Sequence, residues 1–303
     1  MASPLSIVLH VIIMSAEFFT GIAVNGFLVI VNCNELFKCR KLIPMQILLT
    51  CLGMARFGLQ VVLMIQSFLS TFFPVFYQEK VYGRVLVAFW MFFSSLSLWF
   101  ATCLSVFYCL KISGFTQSYF LWLKFRILKL ILWLLLGSLL VSLSITALSA
   151  HVDYSKSTKE DDLRNMTVNK TKLQMRSVSG VLLVNLALLF PLAIFAMCIY
   201  MLCVSLYKHI YRMQNMSHGF RSASTEAHIN ALRMVITFFF FFIFYFVAFM
   251  ANISFIIPYR SQWFFAVKDI MAAYPSGHSV IIILSNSKFQ QSFRQILCLK
   301  KNC

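Results

Sequence analysis

An arginine set inside an apolar run is the residue of this chain with most chemistry to account for. Arg56 sits in the stretch LLTCLGMARFGLQVVLMIQSFL, residues 48–69. Arginine does not shed its proton in proteins, and a charge at the centre of a membrane helix costs about 2.5–3.5 kcal/mol on insertion scales. It therefore needs partners from neighbouring segments. Asn25 lies roughly 12 Å from the end of its own apolar run, at 1.5 Å per residue. His278 and Ser279 lie about as deep in theirs, and the long arginine stem can reach down to that level. No acid shares the depth, since Glu17 is nearer the other end of its run. The spacing predicts an Asn25–Arg56–Ser279 cluster. It either glues helices together or holds one of two helix arrangements during signalling.

A second pattern suits recognition rather than charge. Trp90, Ser94 and Ser97 fall at i, i+4 and i+7 and share one helical face. A ring beside hydroxyls fits a small-molecule pocket, which is mostly apolar with a few polar groups. The same face also suits plain packing, because Ser is common where membrane helices touch. Pro191 and Pro275 should loosen their helices. Catalysis finds no support: there is no HExxH, no GxSxG and no pair of acids within the apolar runs. No CxxC pair has metal spacing, and the six histidines are scattered. No cofactor and no metal are implied.

The elements that must position these residues are long and apolar. Of 303 residues, 60% are hydrophobic and 12% charged, against about 25% charged in soluble domains. A membrane helix needs about 20 mostly apolar residues. Seven stretches qualify: 5–33, 46–69, 84–110, 128–148, 180–207, 234–257 and 263–284. The expected fold is an all-α membrane protein, a bundle of seven transmembrane helices forming one domain over 1–303. The first stretch lacks a basic leader and is too long for a signal peptide's apolar core, so it should stay as an uncleaved span.

With the N-terminus outside, the cytoplasmic segments receive the larger share of Lys and Arg, among them Lys38, Arg40, Lys41, Lys111, Lys124 and Arg126. The positive-inside rule favours that orientation. The net charge of +17 does not point to nucleic acid, because the basic residues are spread over many loops. The loop 149–179 is then outside and carries the sequons Asn165-Met166-Thr167 and Asn169-Lys170-Thr171. Asn165 is the expected glycosylation site. None of the nine cysteines falls in an outside loop, so no extracellular disulfide is expected. The tail 285–303 places Phe289, Phe293, Ile296 and Leu297 on one face among Lys and Arg. That pattern predicts a short amphipathic helix on the cytoplasmic membrane surface, with Cys298 as a candidate for acylation.

Seven stretches in order resemble the bitter taste receptor family, type 2, a family of G-protein-coupled receptors. Span one has Asn25-Gly26 followed by Val31-Asn32, and span two runs from Lys41-Leu42-Ile43-Pro44 to Arg56. Span three carries LWFATCLSVFYCLKI, Leu98 to Ile112, and FLWLKFRI follows from Phe120 to Ile127. Span five ends in Ser205-Leu206-Tyr207-Lys208-His209, and STEAHINAL, Ser224 to Leu232, precedes span six. Span seven reads YPSGHS, Tyr274 to Ser279, then IIILSNSK from Ile281 to Lys288. Phe107-Tyr108-Cys109-Leu110-Lys111 stands where rhodopsin-like receptors have an acidic-Arg-Tyr motif, and His278-Ser279 where they have Asn-Pro-x-x-Tyr.

The resemblance implies a multi-pass plasma-membrane receptor, not an enzyme. Bitter small molecules would enter from outside and bind among spans two, three, five, six and seven, with Gln66, Trp90, Ser94, Asn185, Tyr245, Asn252, Lys268 and Met271 as candidate contacts. Asn25, Arg56, Tyr108, Lys111, Leu206, His209, His278 and Ser279 would carry activation to a gustducin-like G protein, and then to phospholipase C and calcium. Four positions depart from the common pattern: Gln46 stands for Asp, Ala55 for Ser, Ser94 for Asn and Lys268 for Glu. On the residues alone, a transporter or channel is the alternative. An odd number of spans and no internal repeat weigh against it. A retinal-binding opsin would need a lysine deep in span seven, and Lys268 is near its outer end.

Overall fold

Prolines and a serine mark where helices begin. Pro4 and Pro74 open their helices, and Pro44 occupies the first turn of another, where its missing N–H has no partner to lose. The Ser261 hydroxyl accepts from the Phe264 backbone N–H at 3.1 Å, capping the helix that starts at Gln262. The structure, a computed structural model, describes residues 3–39, 43–78, 80–112, 122, 125–163, 170–216, 223–253 and 261–299. Among them are α1 (Pro4–Cys39), α2 (Pro44–Phe72), the short α3 (Pro74–Gln78), α4 (Lys80–Ile112) and α5 (Ile127–Leu163). They continue with α6 (Lys170–Met216), α7 (Ala223–Ile253), α8 (Gln262–Ser285) and α9 (Ser287–Leu299). The described residues contain no strand.

The long helices α1, α2, α4, α5, α6, α7 and α8 form a closed bundle. Helix α1 packs on α2 and α8, α2 on α4, α4 on α5 and α6, α6 on α7, and α7 on α8. Five of them are long and apolar enough to cross a membrane, and α7 adds a shorter apolar run, Phe239–Asn252. The outward faces stay apolar: Leu132, Trp133, Leu136 and Leu140 of α5 are all exposed. In water such a surface would drive aggregation, whereas lipid tails accept it.

Two details go beyond the expected spans. The segment 149–179, read as a loop, is helical to Leu163 and again from Lys170. It contains Lys, Glu and Ser and neither proline nor glycine, so nothing in it breaks the helices that enter it. Asn165 lies outside the described residues. The helices α6 and α8 continue through Pro191 and Pro275. Close approach of α1, α2 and α8 depends on Gly21, where a Cβ would collide with Gln60 Nε2 and lie 2.7 Å from Ser276 Oγ.

Helix α9 turns from α8 and packs on α1. Phe289 is buried, and both Phe289 and Phe293 meet Phe27 edge-on, at 6.4 and 5.9 Å between ring centres. Lys288 pairs with Glu35 of α1, whose carboxylate also accepts from the Gln46 amide of α2. The side chains of Ile296, Leu297 and Cys298 lie outside the described residues. The six described cysteines, Cys33, Cys51, Cys103, Cys109, Cys198 and Cys203, form no disulfide among the described residues.

Candidate functional site

Arg56 is fully buried where α1, α2 and α8 meet. Its Nη1 donates to Ser279 Oγ at 3.1 Å, and Ser279 donates onward to Asn25 Oδ1 at 2.7 Å. The Asn25 amide in turn donates to the Gly21 carbonyl at 2.8 Å. The three residues singled out by depth are thus joined in one chain of hydrogen bonds, with Ser279 in the middle. Nη2 donates to Tyr274 Oη at 3.2 Å, and the guanidinium carbon lies 5.1 Å from the centre of the Tyr274 ring. Hydrogen bonds to a charged group contribute about 1.5–3 kcal/mol each. Two of them are of the size needed to offset the insertion cost of the arginine. Nε has no hydrogen-bond partner among the described residues. The cradle holds Arg56 entirely with neutral oxygens.

One turn on, Gln60 extends the same face of α2. Its Nε2 donates to Ser276 Oγ, to the Ala272 carbonyl at 3.1 Å and to the Glu17 carbonyl at 3.4 Å. Sequence reasoning missed both Tyr274 and Gln60. The signal for Gln60 was its place four residues after Arg56, and for Tyr274 its place four residues before His278.

Tyr274 is the junction to an aromatic shelf. Its ring stacks on Tyr245 at 4.5 Å and on His278 at 6.1 Å. Tyr245 stacks on Phe249 at 5.8 Å, and Phe249 meets Trp90 of α4 at 5.1 Å. Trp90 Nε1, Ser94 Oγ, Ser97 Oγ and Tyr245 Oη are all buried and make no hydrogen bond among the described residues. Orphaned donors in an aromatic enclosure are costly unless something else satisfies them. The patch can therefore take a polar group from a ligand or a water while its rings cover the apolar remainder.

The other expected contacts scatter around this shelf. Met271 is buried, and its sulfur receives the Asn252 amide at 3.5 Å. Gln66 is buried and donates to the Leu86 carbonyl at 3.0 Å, tying α2 to α4. Lys268 is buried too, donating to Ser70 Oγ of α2 at 3.3 Å. Its ammonium lies 4.6 Å from the Phe264 ring centre and 5.5 Å from that of Tyr77. The lysine turns sideways between α2, α3 and α8 and does not snorkel into water. Asn185 lies in α6, but its side chain is outside the described residues. On the opposite end of the bundle, Tyr108 is partly buried beside Phe107, and Lys111 is exposed with its ammonium 5.6 Å from the Phe107 ring centre. Leu206 and His209 lie in α6, with side chains outside the described residues.

A seven-helix bundle with a buried polar centre and an aromatic cluster beside it is the architecture of seven-helix membrane receptors. Residues 1–301 match the model of the family described as Taste receptor protein (TAS2R). The chain is 71% identical to human taste receptor type 2 member 2 over 301 residues, covering 99% of each chain. It is 36% identical to taste receptor type 2 member 7 of Macaca mulatta over 285 residues, covering 93% of this chain and 90% of that one. It is 35% identical to member 3 of Papio hamadryas over 290 residues, covering 94% and 92%. The chain belongs to the bitter taste receptor family, type 2. It is a membrane receptor rather than an enzyme, and the family binds ligands and couples to G proteins.

Proposed function

We propose that this receptor takes bitter small molecules from the extracellular side into the recess lined by Trp90, Ser94, Tyr245 and Met271. Gln66, Asn185, Asn252 and Lys268 would supply further contacts. The observation that carries the reading is the set of buried, unpartnered polar atoms on Trp90, Ser94 and Tyr245 beside the Phe249 ring. A ligand that supplies an acceptor there and an apolar body gains both terms at once.

Occupancy is passed on through Tyr245, which stacks on Tyr274, whose hydroxyl oxygen accepts from Arg56. Moving Tyr245 with α7 changes what holds Arg56, and the Asn25–Ser279 chain responds. The plasma membrane is the site of action, with α1 beginning outside. The inner ends, including Tyr108, Lys111, Leu206, His209 and His278 behind them, meet a gustducin-like G protein. Phospholipase C and calcium release follow. Asn165 carries the glycan.

The test is a dose response in cells carrying a gustducin-type chimera and a calcium reporter. Trp90→Ala should raise the effective concentration of every active bitter compound about tenfold or more, the loss of roughly one aromatic anchor. A normal dose response at normal surface level would move the ligand site elsewhere. Asn165→Gln should remove most of the endoglycosidase-sensitive mass shift, and an unchanged shift would rule out Asn165.

A further inference from the structure

Away from the recess, α1 and α2 enclose a small cleft of about 30 Å³ lined by His10, Met14, Ser15, Met64, Ser67 and Thr71. Such a volume holds one water or one ion. His10 is 1% exposed, and its Nδ1 lies 2.6 Å from Asp269 Oδ1 of α8. That carboxylate draws the imidazole proton to Nδ1 and leaves a lone pair on Nε2. Nε2 is buried with no hydrogen-bond partner among the described residues, and the same holds for Ser67 Oγ and Thr71 Oγ1. A carboxylate orienting one ring nitrogen while the other is left open is the arrangement of metal-binding histidines. Met14 stands one helical turn after His10, on the same face of α1. Met64 comes from α2 across the cleft.

We propose that this cleft binds one copper(I) ion through His10 Nε2 and the thioether sulfurs of Met14 and Met64. Soft thioethers with an imidazole select monovalent copper over hard cations. The two thioethers are neutral and have no proton to lose on binding. The charge is also suited. Asp269 lies behind His10, and Lys268 is turned away towards Ser70. The bound ion ties α1 to α2 and, through His10 and Asp269, to α8. The site depends on methionines, so the cysteine and histidine spacing of the sequence does not reveal it. Among the described residues no three His, Cys, Asp or Glu gather into a metal cluster.

Purified full-length receptor in nanodiscs is titrated with ascorbate-reduced copper against the chelator bicinchoninate. Met14→Leu/Met64→Leu keeps the apolar volume and removes both sulfurs. The expected result is that the wild type takes up one equivalent more than this variant, and that X-ray absorption of that equivalent shows nitrogen and thioether sulfur. Asp269→Asn should weaken that uptake about tenfold or more by releasing the ring. Calcium responses to agonists check that each variant is folded. Ser67→Ala/Thr71→Ala should leave uptake unchanged. Equal uptake by wild type and the methionine variant, or uptake lost only with the two hydroxyls, would overturn the proposal and leave the cleft to water.

Discussion

Arg56 and Lys268 are both cationic, both almost without solvent contact and both set beside aromatic rings. Their surroundings differ in what balances the charge. Lys268 has a carboxylate next to it in sequence, Asp269, which is itself fixed by His10. It closes a joint between α2 and α8 near the ends of both helices. Arg56 has only hydroxyls, a ring face and, through Ser279, an amide oxygen. A charge balanced by a nearby acid is held in one place. A charge held only by neutral oxygens can exchange one hydroxyl for another of equal strength, which is the property of a bistable element. On this comparison we propose that Lys268 anchors and Arg56 switches.

The harshest way to break that comparison is to remove the arginine. Arg56→Ala should cut the maximal calcium response about tenfold or more beyond any fall in surface level, because the cradle then prefers neither arrangement. Arg56→Lys should not restore it, since one ammonium cannot serve Ser279 and Tyr274 in the planar fork they are built around. If response and surface level fall in equal proportion, Arg56 is structural glue and the contrast with Lys268 disappears. Tyr274→Phe sharpens the point. It keeps the stacking on Tyr245 and removes only the oxygen that Arg56 uses. A loss of about 1.5–3 kcal/mol from one charged hydrogen bond should shift potency about ten- to a hundredfold, without changing delivery to the surface.

The two sites were unequally legible in the sequence. Counting along apolar runs placed Asn25, Arg56 and Ser279 at one level, because membrane thickness and helical rise tie sequence position to depth. The same periodicity put Trp90 and Ser94 on one face, and both are buried as a face turned inward requires. Periodicity does not say which neighbour a face meets. Tyr274 stacks on Tyr245 only because of how α8 is rotated against α7, and no local pattern fixes that rotation. Lys268 turns towards Ser70 for the same reason. The His10–Asp269 pair joins residues 259 apart in the chain, beyond the reach of any motif.

Lys268 itself offers the next test. Lys268→Glu places a carboxylate against Ser70 and next to Asp269, where like charges repel. At normal surface level, it should weaken neutral and acidic agonists and admit some cationic ones. The expected shift is several-fold, smaller than for the arginine, because Lys268 contacts Ser70, Tyr77 and Phe264 rather than the Trp90–Tyr245 cluster. Lys268→Met keeps the stem and should leave the ranking of acidic, neutral and basic compounds close to that of the wild type. If Lys268→Glu also leaves that ranking unchanged, the lysine is an anchor alone and the ligand contacts contract to Trp90, Ser94 and Met271.

The smallest effect is expected at a third cation, and it calibrates the other two. Lys288 of α9 pairs with Glu35 of α1, and Glu35 also accepts from Gln46 of α2. Here the charge is balanced by a direct acid partner, but the two side chains keep 32% and 35% of their exposure. Ion pairs that wet contribute about 0–1 kcal/mol. Lys288→Met and Glu35→Gln should each change potency less than about fivefold, since 1 kcal/mol is a factor of roughly five in an equilibrium. The Phe289 and Phe293 contacts with Phe27 still seat α9 when the pair is gone. The exchange Glu35→Lys/Lys288→Glu should return the response to the wild-type range if the pair is what matters. Should either single change silence the receptor as thoroughly as Arg56→Ala, exposure does not rank these cations. The inner latch would then have to be counted as part of the switch.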